Sequence, residues 1–181
     1  MITIDQLRAL NGRPHYMGLG VVKYPFRKNQ SYHFYSDKAR ILVEDIHEHR
    51  FSFTSKVIKG KLKNYIYDID GTNPTSTLRV ERGECAPNVK RDIIASNINL
   101  IELCTFVTEP GQEYHIHYTT LHRIECLTTK VITLLNKELP FAQTTPRFIT
   151  DTANPSVCAF SQPKPTSECW EIIEYTLNDN D

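Results

Sequence analysis

Ile46-His47-Glu48-His49-Arg50-Phe51-Ser52-Phe53-Thr54-Ser55-Lys56-Val57-Ile58 is the stretch whose reading decides the fold. Its odd positions, His47, His49, Phe51, Phe53, Ser55 and Val57, repeat with a period of two, which predicts a β-strand with those side chains on one face. Gly60 breaks the run, and Leu62 to Ile69 reads as the return strand. The two imidazoles of His47-x-His49 would leave the same face. A third histidine arriving from a distant strand, His122 in Leu121-His122-Arg123-Ile124, would complete three nitrogen ligands around one metal and leave positions open for water or substrate.

Outward from that stretch, β signals dominate. Gly18 to Tyr24, Tyr32 to Tyr35 and Ala39 to Glu44 are short aromatic or β-branched runs on its N-terminal side. On its C-terminal side, Asp70-Gly71 reads as a turn, and 71–98 as a turn-rich hairpin or loop insertion. Leu100 to Thr108 is a strand, Pro110-Gly111 a turn, and Tyr114 to Tyr118, His122 to Leu127 and Lys130 to Leu135 complete the series. About nine short strands with turn punctuation predict an all-β barrel or sandwich. Before them, Thr3-Ile4-Asp5-Gln6 has the pattern of a capping box opening a short helix, with Leu7 and Leu10 as its apolar side and Gly12 as its stop. After Asn136 the character changes, and Pro140, Pro146, Pro155, Pro163 and Pro165 predict an extended tail wrapped on the body. Trp170, Ile173 and Leu177 fit one helical face near the end, although Ile172 and Tyr175 suit a strand.

Composition bounds the function classes. The 181 residues suit one domain, 1–181, with a sizeable core, and 40% of them are hydrophobic. Lys+Arg and Asp+Glu both number 21, which argues against a nucleic-acid binder working by bulk charge. No apolar run approaches the roughly 20 residues of a membrane span, and the start, Met1-Ile2-Thr3-Ile4-Asp5, shows no secretory pattern. The five cysteines, Cys85, Cys104, Cys126, Cys158 and Cys169, are scattered without a Cys-x-x-Cys pair, which predicts free thiols and a cytoplasmic setting.

At the level of motifs the chain resembles the cupins, small double-stranded β-helix (jelly-roll) barrels that commonly carry a metal. Their first motif, G-x5-H-x-H-x3/4-E-x6-G, is matched by His47, His49 and Gly60. Ile41 stands at its leading glycine and Phe53, or Thr54 in the longer spacing, at its glutamate. Their second motif, G-x5-P-x-G-x2-H-x3-N, is matched by Gly111 and His122, with His117, Thr119 and Cys126 at its proline, second glycine and asparagine. The resemblance spans about residues 30–136 and leaves 137–181 as a Pro-rich tail packed on the barrel. At family level the chain looks like a group of small cupins common among phage-encoded and bacterial proteins of unassigned function.

That resemblance implies a metal held by His47, His49 and His122. The missing glutamate turns a four-ligand site into a three-histidine one, as in the thiol dioxygenase branch. The cofactor it implies is one divalent transition metal, Fe(II) first, with Zn, Ni or Mn as alternatives. Candidate partners for the second ring nitrogens are Glu48, Glu113, Tyr114, Ser55 and backbone carbonyls. Phe51, Phe53 and Ser55 are the expected cavity lining on the ligand face, with His115 and His117 as substrate contacts or alternate ligands. Arg50 and Arg123 each follow a ligand and should turn away from it, while Cys126 shares the parity of His122. The implied function is a mononuclear Fe(II) oxygenase acting on a small molecule. The alternative is a non-catalytic barrel that binds or sequesters a small ligand such as a nucleotide or sugar derivative. Cupins often dimerise through sheet edges, so a homodimer is the implied assembly, with no nucleic-acid or membrane partner.

Overall fold

The computed structural model describes residues 2–18, 20–37, 46–84, 91–139, 142–153 and 164–178. The strand expected at Ala39 to Glu44 lies outside the described residues, as do Cys85 and Cys158. The elements in chain order are α1 (Ile4–Ala9), β1 (His15–Gly18), β2 (Val21–Arg27), β3 (Gln30–Ser36), β4 (Ile46–His47), β5 (Phe53–Lys59), β6 (Leu62–Thr72), β7 (Leu78–Arg82), β8 (Asp92–Ser96), β9 (Ile98–Thr108), β10 (Glu113–Ile116), β11 (Leu121–Cys126), β12 (Lys130–Lys137), β13 (Arg147–Asp151) and α2 (Thr166–Leu177).

Among the described residues the strands form two antiparallel sheets. One has six strands in the order β1-β2-β3-β12-β5-β10, the other seven in the order β8-β7-β13-β4-β11-β6-β9. From β3 to β6 each connection changes sheet, β6 pairs β9 within one sheet, and from β9 to β12 each connection changes sheet again. This winding is that of a double-stranded β-helix, so the chain has the expected all-β jelly-roll (cupin) fold.

Three apolar clusters hold it. Phe53, Val57, Leu62, Tyr114, Ile116, Val131 and Leu135 fill the space between the sheets. Val80, Ile98, Leu121 and Ile149 pack on the other face of the seven-stranded sheet. On the outer face of the six-stranded sheet, Val22, Tyr24, Phe34 and Ile132 are covered by Leu7 of α1 and by Cys169, Ile172 and Ile173 of α2. Each such fully buried aliphatic or aromatic side chain contributes about 1.5–3 kcal/mol.

Local chemistry explains most boundaries. The capping box at the start of α1 is present in both directions, Gln6 N–H to Thr3 Oγ1 at 3.2 Å and Thr3 N–H to Gln6 Oε1 at 2.9 Å. The left-handed residue after that helix is Asn11 (φ 53°) rather than Gly12. Gly12 serves closeness instead: a Cβ there would stand 2.5 Å from the Tyr24 ring. Gly60 meets both demands, with φ +74° and a Cβ position 2.2 Å from the Lys130 carbonyl. The expected turn at Asp70-Gly71 is absorbed into β6, whose register against β9 shifts between Ile69 and Thr72. The segment after Asn136 is partly regular: β13 joins the seven-stranded sheet, and α2 docks on the barrel. The last carbonyls of α2 accept from barrel lysines, Thr176 O from Lys59 Nζ at 3.0 Å and Asn178 O from Lys130 Nζ at 3.0 Å. Cations at a helix C-terminus satisfy its orphan carbonyls and oppose its dipole. Among the described residues no helix is long and apolar enough to cross a membrane.

Candidate functional site

The run His47 to Ile58 is not one strand. β4 ends at His47 in the seven-stranded sheet, and β5 begins at Phe53 in the six-stranded one. Residues 48–52 carry the chain across the end of the barrel. Polar bonds pull this segment out of strand pairing. The Glu48 N–H donates to the Arg147 carbonyl at 2.9 Å. Glu48 is buried, and its carboxylate accepts from Arg147 Nε at 2.9 Å and from the Arg147 backbone N–H at 3.0 Å. Ser52 Oγ, also buried, accepts from the Tyr118 N–H at 3.1 Å. His47 and His49 therefore converge because the chain turns between them, and not because they share a strand face.

His47 sits opposite His122 in the β4–β11 register and opposite Phe148 in the β4–β13 register. His122, Ile124 and Cys126 face the space between the sheets, as their parity implies. The ring centroids of the three histidines stand 4.8 Å (His47–His49), 5.2 Å (His47–His122) and 5.0 Å (His49–His122) apart. One nitrogen from each lies within 4.8 Å of the others, and Nε2 of His49 faces Nε2 of His122 at 2.8 Å. Two nitrogens each about 2.1 Å from one ion, at right angles, stand about 3.0 Å apart.

Electrostatics favours neutral rings. Burial, then the neighbouring His47 and His122, holds His49 well below the ordinary histidine range; burial and His47 do the same to His122. A neutral imidazole keeps a lone pair for a metal. His122 is 3% exposed, and its Nδ1 is buried with no hydrogen-bond partner among the described residues. The donor set thus fits a borderline transition metal: three imidazole nitrogens lie within 4.8 Å of one another, and the rings of His49 and His122 are held neutral. The usual carboxylate or carbonyl support for the second nitrogen of His122 is missing among the described residues.

Phe53, in the glutamate position of the motif, packs edge-on to His49 at 4.9 Å and lies 6.1 Å from His122. Phe51 is next to it, 5.7 Å from His49. Ser55 is buried on the same inward face of β5. His115 and His117 are not brought to the triad. On β10, Tyr114 and Ile116 turn inward, which leaves His115 exposed and 3.2 Å from Glu138 Oε2. His117 is an exposed residue after β10, its Nδ1 2.8 Å from Thr119 Oγ1. Of the suggested supporting groups, Glu48 is spent on Arg147, and Glu113 lies exposed 3.8 Å from Lys56. Arg50 points outward to Glu84 at 2.9 Å, and Arg123 lies 4.6 Å over the Tyr65 ring.

A pocket of about 180 Å³ opens beside His49, lined by Glu48, Arg82, Tyr118, Thr119 and Arg147 among others. It is polar and smaller than the roughly 300–1,000 Å³ typical of drug-sized ligands. Nothing in the sequence pattern points to Arg82 or Arg147. Arg147 sits in the Pro-rich segment, and only the strand pairing of β13 brings it to Glu48.

No family model matches this sequence, and no curated protein does. Among solved structures the chain is similar to hydroquinone 1,2-dioxygenase PnpCD in complex with Cd2+ and 4-hydroxybenzonitrile. Identity is 14% and the TM-score 0.35, over 77% of this chain and 74% of that one. It is similar also to hydroquinone 1,2-dioxygenase from Sphingomonas sp. TTNP3 with 4-hydroxybenzoate bound, at 10% identity and a TM-score of 0.33, over 65% of this chain and 70% of that one. Likeness this slight carries nothing about chemistry, and the jelly-roll assignment rests on this chain's own strand order.

Proposed function

We propose that the protein is a mononuclear metal-dependent oxygenase, with His47, His49 and His122 holding one divalent transition ion, Fe(II) by preference. The observation that supports this reading is the convergence of three imidazoles, two of them with Nε2 atoms 2.8 Å apart, with no carboxylate in the cluster among the described residues. Three imidazole ligands would leave the charge of the ion uncompensated and would leave coordination positions for O₂ and an organic ligand.

The residues of the chain have separate tasks in this reading. The Glu48–Arg147 pair fixes the crossing segment and so the mutual position of His47 and His49. Phe51 and Phe53 wall off the ring edges and exclude water from that side. The pocket beside His49 admits a small polar molecule, which its threonine hydroxyls and the Arg82 guanidinium can orient. The test is O₂ consumption by anaerobically reconstituted protein against a panel of thiols, keto acids and phenols. Uptake with Fe(II) and none with Zn(II), which has no redox chemistry, is the expected result. Silence with every metal, together with tight retention of an unmodified small molecule, would replace catalysis by ligand capture.

A further inference from the structure

A second group of titratable side chains lies beside the triad, on the inner face of the six-stranded sheet. His15 on β1, Lys23 on β2 and His33 on β3 stand in one register row that continues to Thr133 on β12. Lys137 lies two and four residues beyond Leu135 and Thr133 on β12, so it shares their face. That face is interior from β3 on, where Leu135 belongs to the core between the sheets, Thr133 is fully buried and His33 is 9% exposed, while Lys23 is half-buried and His15, on the edge strand, is exposed. The amines of Lys23 and Lys137 are within hydrogen-bonding reach of each other, and the charges of Lys23, Lys137 and His15 all act on His33. The Lys137 ammonium lies 4.3 Å from the centre of the Phe51 ring, and His49 and Phe53 lie 5.7 Å and 6.3 Å from the same ring. Among the described residues neither lysine has a carboxylate partner.

Two facing ammoniums on a sheet's inner face repel one another. Apolar residues there would serve the fold better, and such a conflict between local chemistry and stability is characteristic of a binding site. A single oxyanion between the amines would attract both, and those attractions would offset the repulsion between the two lysines. The Phe51 ring meets this group at Lys137 and the triad at His49. We propose that Lys23 and Lys137 form an oxyanion site, and that the small molecule reaching the triad carries a carboxylate or phosphate group held there. The inference rests on the reading of the triad as the reaction centre, but the lysine site itself needs no metal.

The test therefore uses metal-free protein kept in chelator, with inorganic phosphate and acetate as probes. Burial first, and Lys137 second, push the Lys23 amine down to about 8. NMR titration of the lysine side chains should show this midpoint return toward the ordinary lysine range when either probe saturates. Lys23→Met and Lys137→Met should each weaken that binding at least about tenfold, the loss expected when a charge-assisted contact is removed. Without any anion, Lys23→Met should unfold at a higher temperature than the wild type, because it removes a charge that the fold alone does not need. Lack of saturable binding by both probes would overturn the proposal, as would equal binding by the two variants and the wild type. A less stable Lys23→Met would count against it too, by making the amine a structural group. Loss of metal from histidine variants is measured separately, so failure at one site is not mistaken for failure at the other.

Discussion

Replacing Arg147 with leucine removes the guanidinium that holds Glu48 while keeping aliphatic bulk. Glu48 retains one donor, the backbone N–H of residue 147 at 3.0 Å, and loses Nε at 2.9 Å together with Nη2. Its side chain is 9% exposed, so water replaces those donors poorly, whereas Arg147 is 29% exposed. Removing one partner of a fully buried ion pair costs about 3–5 kcal/mol, and solvent screening at the arginine end lowers this to about 2–3 kcal/mol. For a chain of this size the unfolding midpoint should fall by about 4–12 °C. Since Glu48 lies between His47 and His49, metal affinity should fall as well, by about the 10–100-fold typical of groups that position ligands. Scanning calorimetry and metal titration read the two effects. The double variant Glu48→Leu/Arg147→Leu should recover much of the stability, with a coupling of about 1 kcal/mol or more. A midpoint within about 1 °C of the wild type, with metal affinity intact, would refute the idea that this pair positions the histidines.

Acid should destabilise the fold through His33. Burial, followed by Lys23, Lys137 and His15, pushes this group from 6.5 down to about 3. The unfolded chain then binds a proton that the folded one refuses, so stability falls as pH drops from 6.5 to about 3, on the order of 4 kcal/mol at full extent. His33→Leu should flatten that limb of a denaturation profile taken at several pH values; an unchanged slope would assign it to other groups. Gly60→Ala should cost more than Gly111→Ala. Both sit at positive φ, +74° and +89°, but only at Gly60 does a Cβ meet the Lys130 carbonyl, at 2.2 Å. Gly111→Ala should cost about 1–2 kcal/mol in urea unfolding, and an equal loss at the two positions would remove the clash from the explanation.

Most of the strands were legible because period-two alternation and glycine punctuation report directly on a half-buried sheet, whereas the winding of a double-stranded β-helix came from the motif resemblance. Phe53, Ser55 and Val57 face inward as that pattern requires. It failed at residues 48–52, where alternation continues through a segment that crosses between sheets. The crossing is decided by Arg147 and Tyr118, partners about 100 and 70 residues away, whose approach no local pattern encodes. The histidine triad was legible through its spacing, since two motifs place His47, His49 and His122 at matching points of the winding. His115 was misleading for a simple reason: it shares the His-x-His pattern but sits one step out of phase with the inward Tyr114 and Ile116. The lysine group was invisible because Lys23, His33 and Lys137 become neighbours only through register across β2, β3 and β12.

Metal content by elemental analysis of anaerobically purified protein, beside His49→Ala and His122→Ala, tests the central claim most directly. The wild type should carry one transition-metal ion per chain. Each variant should lose it while keeping the β-sheet circular dichroism of the wild type, because the barrel is held by its apolar clusters and metal adds stability only through linkage. A wild type that stays empty after incubation with Fe(II), Ni(II), Mn(II) and Zn(II), or variants that bind as much metal as the wild type, would contradict it.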